Sequence, residues 1–213
     1  MAKIFSSFKS GVRGAFDPMG RALAHAGVSP DAVTILGTAG VVAGSVAFAA
    51  RGRLVAATVV ITLCALLDVL DGAMARAEGR HSRYGALLDS VMDRVADGAI
   101  FGCLAWWYAT SGQRVLAGVT LVCLIGGQIV SYVKARAEGL GFTCDVGIAE
   151  RMERLIIIGV GGLLTGFGLV KWGLPAALWL LAVLSIVTIV QRIMHVRGQE
   201  RRAVGDEVKG GRS

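Results

Sequence analysis

The chain has 213 residues, of which 54% are hydrophobic and only 17% charged, with a mean hydropathy of +0.65. That excludes an ordinary soluble domain, where apolar residues, glycine included, make up roughly 45–50%. The net charge of +7 does not point to a nucleic-acid partner, because Lys and Arg of a membrane protein gather in cytoplasmic loops and face anionic headgroups.

Residues 1–28 contain no continuous apolar stretch of the kind a signal peptide needs. Instead Phe5, Phe8, Val12, Phe16, Met19 and Leu23 recur at helical spacing, with Lys3, Lys9, Arg13 and Arg21 between them. This pattern predicts an amphipathic helix lying in the membrane interface. Ser29-Pro30-Asp31 then supplies a helix start: a small polar cap, a proline and an acid at the positive end of the helix dipole. An uncharged run from Ala32 to Ala50 follows, and Arg51-Gly52-Arg53 marks a turn. A second run extends from Leu54 to Leu67 before meeting Asp68 and Asp71. A third covers Ala86 to Thr110 and carries Asp89, Asp93 and Asp97. The fourth spans Val115 to Val133, the fifth Leu155 to Val170 and the sixth Trp172 to Gln191.

A bilayer core takes helices of about 20 apolar residues. The expected fold is therefore all-α: a polytopic membrane protein with six transmembrane helices and the interfacial helix before them. The expected division is 1–28 interfacial segment, 29–196 transmembrane domain and 197–213 charged flexible cytoplasmic tail. With the N-terminus inside, the outer loops hold Arg51, Arg53, Arg114 and Lys171, and the other 18 of the 22 basic residues fall on or near the cytoplasmic side. Both termini and the active site are expected to be cytoplasmic, in a multi-pass protein of the cell membrane. The four cysteines, Cys64, Cys103, Cys123 and Cys144, form no CxxC pair and have no histidine at metal spacing, so neither a disulfide framework nor a zinc site is expected.

The stretch from Asp68 to Asp93 carries the chemistry. On a helix, Asp68, Asp71, Gly72, Ala75 and Arg76 fall on one face, and Gly85, Asp89 and Asp93, spaced by four, share another. The segment between Ala77 and Tyr84 can reverse the chain and let the two faces meet. Four converging carboxylates at a membrane repel one another unless cations sit among them. Hard divalent ions with oxygen ligands, Mg²⁺ or Mn²⁺, answer that need. The small residues leave room for a ligand, and Arg76 can meet a phosphate. Together these features point to phosphoryl chemistry on a lipid.

Written out, the stretch is D-x₂-D-G-x₂-A-R-x₈-G-x₃-D-x₃-D, eight fixed residues over 26 positions, and it resembles the signature of the CDP-alcohol phosphatidyltransferase family. The resemblance implies that Asp68, Asp71 and Asp89 are metal ligands. It implies that Asp93 also lies at the metals and is the general base, taking the acceptor's hydroxyl proton as that oxygen attacks the β-phosphorus of CDP-diacylglycerol. Gly72, Arg76 and Ser82 would hold the nucleotide and its phosphates, with a looser carry-over to Asp31, Ala32, Val33 and Thr34, where a plain helix cap explains the start equally well.

The acceptor is read from the cationic ends of the later runs. Lys134, Arg151 or Arg154, and Arg192 lie at cytoplasmic ends of separate spans, with Glu138, Glu150 and Glu153 interleaved. A phosphorylated acceptor needs such cations, although lipid anchoring accounts for any one of them. The full candidate set is Ser131, Lys134, Arg136, Arg151, Arg154 and Arg192. The segments Ser131 to Glu138 and Gly147 to Arg154 look like those of actinobacterial phosphatidylinositol phosphate synthases, which implies an inositol phosphate acceptor (1D-myo-inositol 3-phosphate) and a homodimer. The alternatives are a phosphatidylglycerophosphate synthase using glycerol 3-phosphate and, from another class, a cation-coupled transporter. A transporter would scatter its acids over several helices and show repeats; here they crowd into one two-helix motif.

Overall fold

The computed structural model describes residues 29–67, 74 and 82–210, with side chains as far as residue 202. The predicted interfacial segment 1–28 and the residues Asp68, Asp71, Gly72 and Arg76 lie outside the described residues. Among the described residues the secondary structure is entirely helical. It comprises α1 (Pro30–Ala47), α2 (Leu54–Ala65), α3 (Arg83–Thr110), α4 (Arg114–Gly139), α5 (Arg151–Gly166) and α6 (Gly173–Gly210). Packing divides the chain into two compact units, Met1–Cys103 and Leu104–Ser213.

In the first unit α1 begins as its sequence directs. The Ser29 hydroxyl accepts from the Ala32 N–H at 3.2 Å, Pro30 opens the helix and Asp31 sits in its first turn. A short 3₁₀ turn, Ala49–Arg51, closes on Gly52 at φ 68°, a left-handed conformation that glycine adopts without penalty. The chain then doubles back into α2, which packs on α1 through small residues. A Cβ added at Gly44 would sit 2.7 Å from Val60 Cγ1. Close backbone approach of this kind is how helices associate in lipid.

In the second unit α6 packs against both α4 and α5. The Cys123 thiol donates to the Leu178 carbonyl at 3.2 Å, and a Cβ at Gly161 would come within 2.7 Å of the Ala177 Cβ. The small polar residues Thr120, Ser185 and Thr188 are buried, while Val115, Trp179 and Ile186 face outward. A polar interior beneath an apolar exterior is the arrangement a bilayer favours.

Among the described residues three helical stretches are long and apolar enough to cross a membrane: Pro30–Arg51, Arg114–Gly139 and Gly173–Arg202. The chain is a membrane protein. Helix α2 is apolar but short, and α3 is interrupted by its acids and Arg94. The loose tail expected from residue 197 is helical as far as Gly210. Apolar periodicity stops near Gln191, but the Arg, Gln, Glu and Ala residues that follow are good helix formers, and Gln199 is tied to Thr143 by three hydrogen bonds.

Candidate active site

The start of α3 positions the described half of the carboxylate motif. Ser82 acts as its cap: the Ser82 hydroxyl accepts from the Gly85 N–H at 3.1 Å and the Ser82 carbonyl from Ala86. Gly85 faces α1, and a Cβ there would stand in ordinary contact with Asp31 Oδ1 at 3.5 Å and Ser82 Cβ at 3.5 Å. The fold thus brings Asp31 and Ser82, two of the residues predicted to serve the nucleotide, to one spot. Ala32 is exposed, whereas Val33 and Thr34 are buried, with the Thr34 hydroxyl donating to the Pro30 carbonyl.

From Gly85 the helix presents Asp89 one turn on and Asp93 a turn beyond, about 6 Å apart along the axis by helical rise. Asp89 is exposed and Asp93 half-buried. The Arg94 guanidinium approaches Asp93 Oδ2 at 3.3 Å while also donating to the Ser90 carbonyl. Asp97, a further turn along, is 4% exposed. It continues the four-residue step of Asp89 and Asp93. No group of three metal-capable side chains occurs among the described residues, and two of the four predicted ligands lie outside them. Asp89 and Asp93 nevertheless fit a divalent metal in kind: two hard oxygen donors one turn apart, one of them open to solvent.

The cations of the second unit gather where α4 ends and α5 begins. Arg154 and Arg192 are each 2% exposed. Arg192 donates to the Val130 carbonyl at 2.6 Å, the Val146 carbonyl at 2.8 Å and Glu150 Oε1 at 3.4 Å. Those bonds offset the cost of burying the charge and leave N–H donors over on a guanidinium that carries five. Arg154 lies across Gly127, with Cζ and Nε each 3.2 Å from where a Cβ there would stand.

Lys134 Nζ bonds Asp145 Oδ1 at 2.6 Å and lies 3.7 Å from Glu138 Oε1. The hydrogen bond from Lys134, reinforced by its charge, holds the Asp145 carboxyl below its ordinary value of 3.8. Ser131 donates back to the Gly127 carbonyl, Arg136 is exposed and Arg151 half-buried. Of the interleaved acids, Glu138 lies 3.7 Å from Lys134 and Glu150 lies 3.4 Å from Arg192. Asp145 and Thr188 were missed. Asp145 lies in a loop with no periodicity, and Thr188 sits in an apolar run where it passes for an ordinary β-branched residue.

The CDP-alcohol phosphatidyltransferase family model matches residues 27–197. The phosphatidylinositol phosphate synthase of Streptomyces avermitilis is 51% identical over 196 residues, covering 87% of this chain and 79% of that one. That of Mycobacterium tuberculosis strain H37Rv is 46% identical over 182 residues, 84% of each chain. The crystal structure of the M. tuberculosis enzyme with CDP-DAG bound superimposes with a TM-score of 0.81 at 44% identity, covering 85% of this chain and 92% of that one. Its complex with manganese and citrate gives the same score over 88% of that chain.

Proposed function

The chain belongs to the CDP-alcohol phosphatidyltransferase family, and we propose that it transfers the phosphatidyl group of CDP-diacylglycerol to a hydroxyl of 1D-myo-inositol 3-phosphate (L-myo-inositol 1-phosphate). The products are phosphatidylinositol phosphate and CMP. The observation that carries this reading is the identity, 51% over most of the chain, to a phosphatidylinositol phosphate synthase. The buried Arg154 and Arg192 add independent chemical support, since fixed guanidinium groups suit a phosphorylated acceptor.

On the donor side, Gly72, Arg76, Ser82 and the segment Asp31, Ala32, Val33, Thr34 hold the nucleotide and its phosphates. The convergence of Asp31 and Ser82 at Gly85 supports that grouping. Asp68, Asp71, Asp89 and Asp93 hold divalent metal, Mg²⁺ or Mn²⁺, which when bound neutralises charge developing on the pyrophosphate. Asp93 accepts the proton of the acceptor hydroxyl. The hydroxyl oxygen forms its bond to the β-phosphorus as the bond to CMP breaks. On the acceptor side, Ser131, Lys134, Arg136, Arg151, Arg154 and Arg192 hold and orient the acceptor's phosphate.

Around this chemistry we place six transmembrane helices in a domain of residues 29–196. An interfacial segment 1–28 precedes it and a charged segment 197–213 follows. Both termini and the active site face the cytoplasm of the cell membrane, and the enzyme is a homodimer. The three apolar helices and the placement of basic residues support this topology. The test is purified protein with CDP-diacylglycerol, offered inositol 1-phosphate, glycerol 3-phosphate, serine or inositol, with CMP release measured. Release that depends on inositol 1-phosphate is expected, and a preference for any other acceptor overturns the assignment.

A further inference from the structure

Residues 140–150 join α4 to α5, and from 142 to 150 they form neither helix nor strand. Such a connection must find partners for its own backbone groups wherever it is buried. Helix α5 reaches carbonyls of the connection, with the Arg154 guanidinium donating to Ala149 O at 3.5 Å and the Arg154 N–H to Glu150 O at 3.1 Å, but it supplies no acceptor for the Ile148 and Ala149 amides. Helix α6 does. The Thr188 hydroxyl oxygen accepts from two successive backbone donors, Ile148 N–H at 3.3 Å and Ala149 N–H at 3.1 Å. Thr188 and Ala149 are both 0% exposed, so water cannot substitute for that oxygen.

Gly147 makes this contact possible. Its φ of 137° is a conformation side-chain-bearing residues rarely adopt, and a Cβ there would stand 2.6 Å from Thr188 Cγ2. The backbone therefore lies directly on the threonine. One turn along the same face of α6, Arg192 takes the Val146 carbonyl and the Glu150 carboxylate. Thr188 and Arg192 together grip the chain from residue 146 to residue 150, immediately before the turn that carries Arg151 and Arg154.

We infer that Thr188 is a positioning residue for the acceptor: its hydroxyl fixes where α5 begins and so where the Arg154 guanidinium stands. The inference rests on the reading of Arg154 as a ligand of the acceptor's phosphate. Thr188 touches no substrate and acts through the backbone of Ile148 and Ala149. Its loss therefore alters how well the acceptor is held and leaves the donor unaffected. Loss of a purely structural threonine would instead lower thermal stability and the amount of active enzyme, with both KM values unchanged.

The test uses the full chain in detergent, with CMP release measured against inositol 1-phosphate and against CDP-diacylglycerol. Thr188→Val preserves shape and removes the acceptor oxygen, Thr188→Ala removes it without bulk, and Thr188→Ser keeps it. The expected result is an acceptor KM raised roughly ten-fold in the Val and Ala variants, the scale of one lost hydrogen bond. The Ser variant should stay within about two-fold of wild type, and the CDP-diacylglycerol KM should hold in all three. If the Val variant does not fold, the Ala and Ser pair decides alone. An unchanged acceptor KM in the hydroxyl-free variants, or an equal rise in both KM values, overturns the inference. Arg154→Gln separates the two levels. If it raises the acceptor KM while Thr188→Val does not, positioning alone fails; if it leaves that KM unchanged, the underlying reading of Arg154 fails with it.

Discussion

Gly127 lies directly beneath the guanidinium of Arg154, so close that a Cβ on the glycine would stand 3.2 Å from both Cζ and Nε. Arg154 is 2% exposed and cannot swing into solvent to make room. Gly127→Ala should therefore displace the guanidinium by a few tenths of an ångström without unfolding α4. A displaced guanidinium weakens its charge-assisted bond to the acceptor's phosphate, so the acceptor KM should rise by roughly ten-fold while the CDP-diacylglycerol KM holds. Titration of inositol 1-phosphate at saturating donor measures this, and an unchanged KM would show that Arg154 has slack.

Metal dependence follows from the carboxylates. Asp89→Asn, and likewise Asp68→Asn and Asp71→Asn, would each remove one of the proposed charged oxygen ligands. CMP release should be abolished in all three while the proteins remain folded in detergent. Chelation of wild type should silence it, and Mg²⁺ or Mn²⁺ should restore it. Near-normal turnover in any two of the variants at ordinary Mg²⁺ would sink the assignment.

Asp93 carries a separate expectation. As general base it should matter to rate more than to binding, so Asp93→Asn should lose turnover by at least roughly 10² and still bind CDP-diacylglycerol. Binding and single-turnover measurements on the same preparation distinguish the roles. A collapse of donor affinity as large as the loss of rate would make Asp93 a metal ligand first.

The parts of this molecule that were legible in sequence are those governed by local periodicity. The Ser29-Pro30-Asp31 start and the one-turn spacing of Asp89 and Asp93 needed only helical geometry. What stayed hidden depends on the backbone of distant segments. Arg192 was found as a cation, but its carbonyl partners Val130 and Val146 leave no mark on residue identity. The helical stretch beyond Gln191 is tied by Gln199 to Thr143, 56 residues away. Lys134 and Asp145 face each other across a connection in which Gly141 has positive φ, a geometry that spacing cannot announce.

That Lys134–Asp145 pair makes its own prediction. A carboxylate whose pKa is lowered in the folded protein contributes stability above its unfolded value and loses it only as pH falls through the lowered one. Asp145 is held below 3.8 by Lys134, so the pair is intact throughout the neutral range and opens only in acid. The side chain of Asp145 is 79% exposed, so the stabilisation is small. The thermal midpoints of wild type and Asp145→Asn should differ little, and by a constant amount, between about pH 5 and 8. The acceptor KM of Asp145→Asn should fall by about two- to five-fold, because the carboxylate no longer competes with a phosphate for Lys134. A raised KM would assign Asp145 to holding Lys134 in place instead.

The acceptor itself should carry a phosphate. Lys134, Arg154 and Arg192 lie on three different helices, an arrangement that lipid anchoring does not require, and two of them are buried. A charge-assisted bond to phosphate is worth about 1.5–3 kcal/mol, so neutralising any one should raise the acceptor KM about ten-fold or more. The CDP-diacylglycerol KM should barely move, because the proposed function assigns that lipid's phosphates to Arg76 and the metals. Comparing inositol 1-phosphate with free inositol in wild type and Arg154→Gln is the sharpest form of the test. Wild type should use the phosphate ester far better than inositol, and Arg154→Gln should narrow that gap by impairing only the ester. Equal use of both acceptors by wild type would remove the cationic pocket and the inositol phosphate assignment together. Equal damage to donor and acceptor kinetics in Arg154→Gln would make that arginine structural and pass the phosphate to Arg151, one turn earlier at the start of α5.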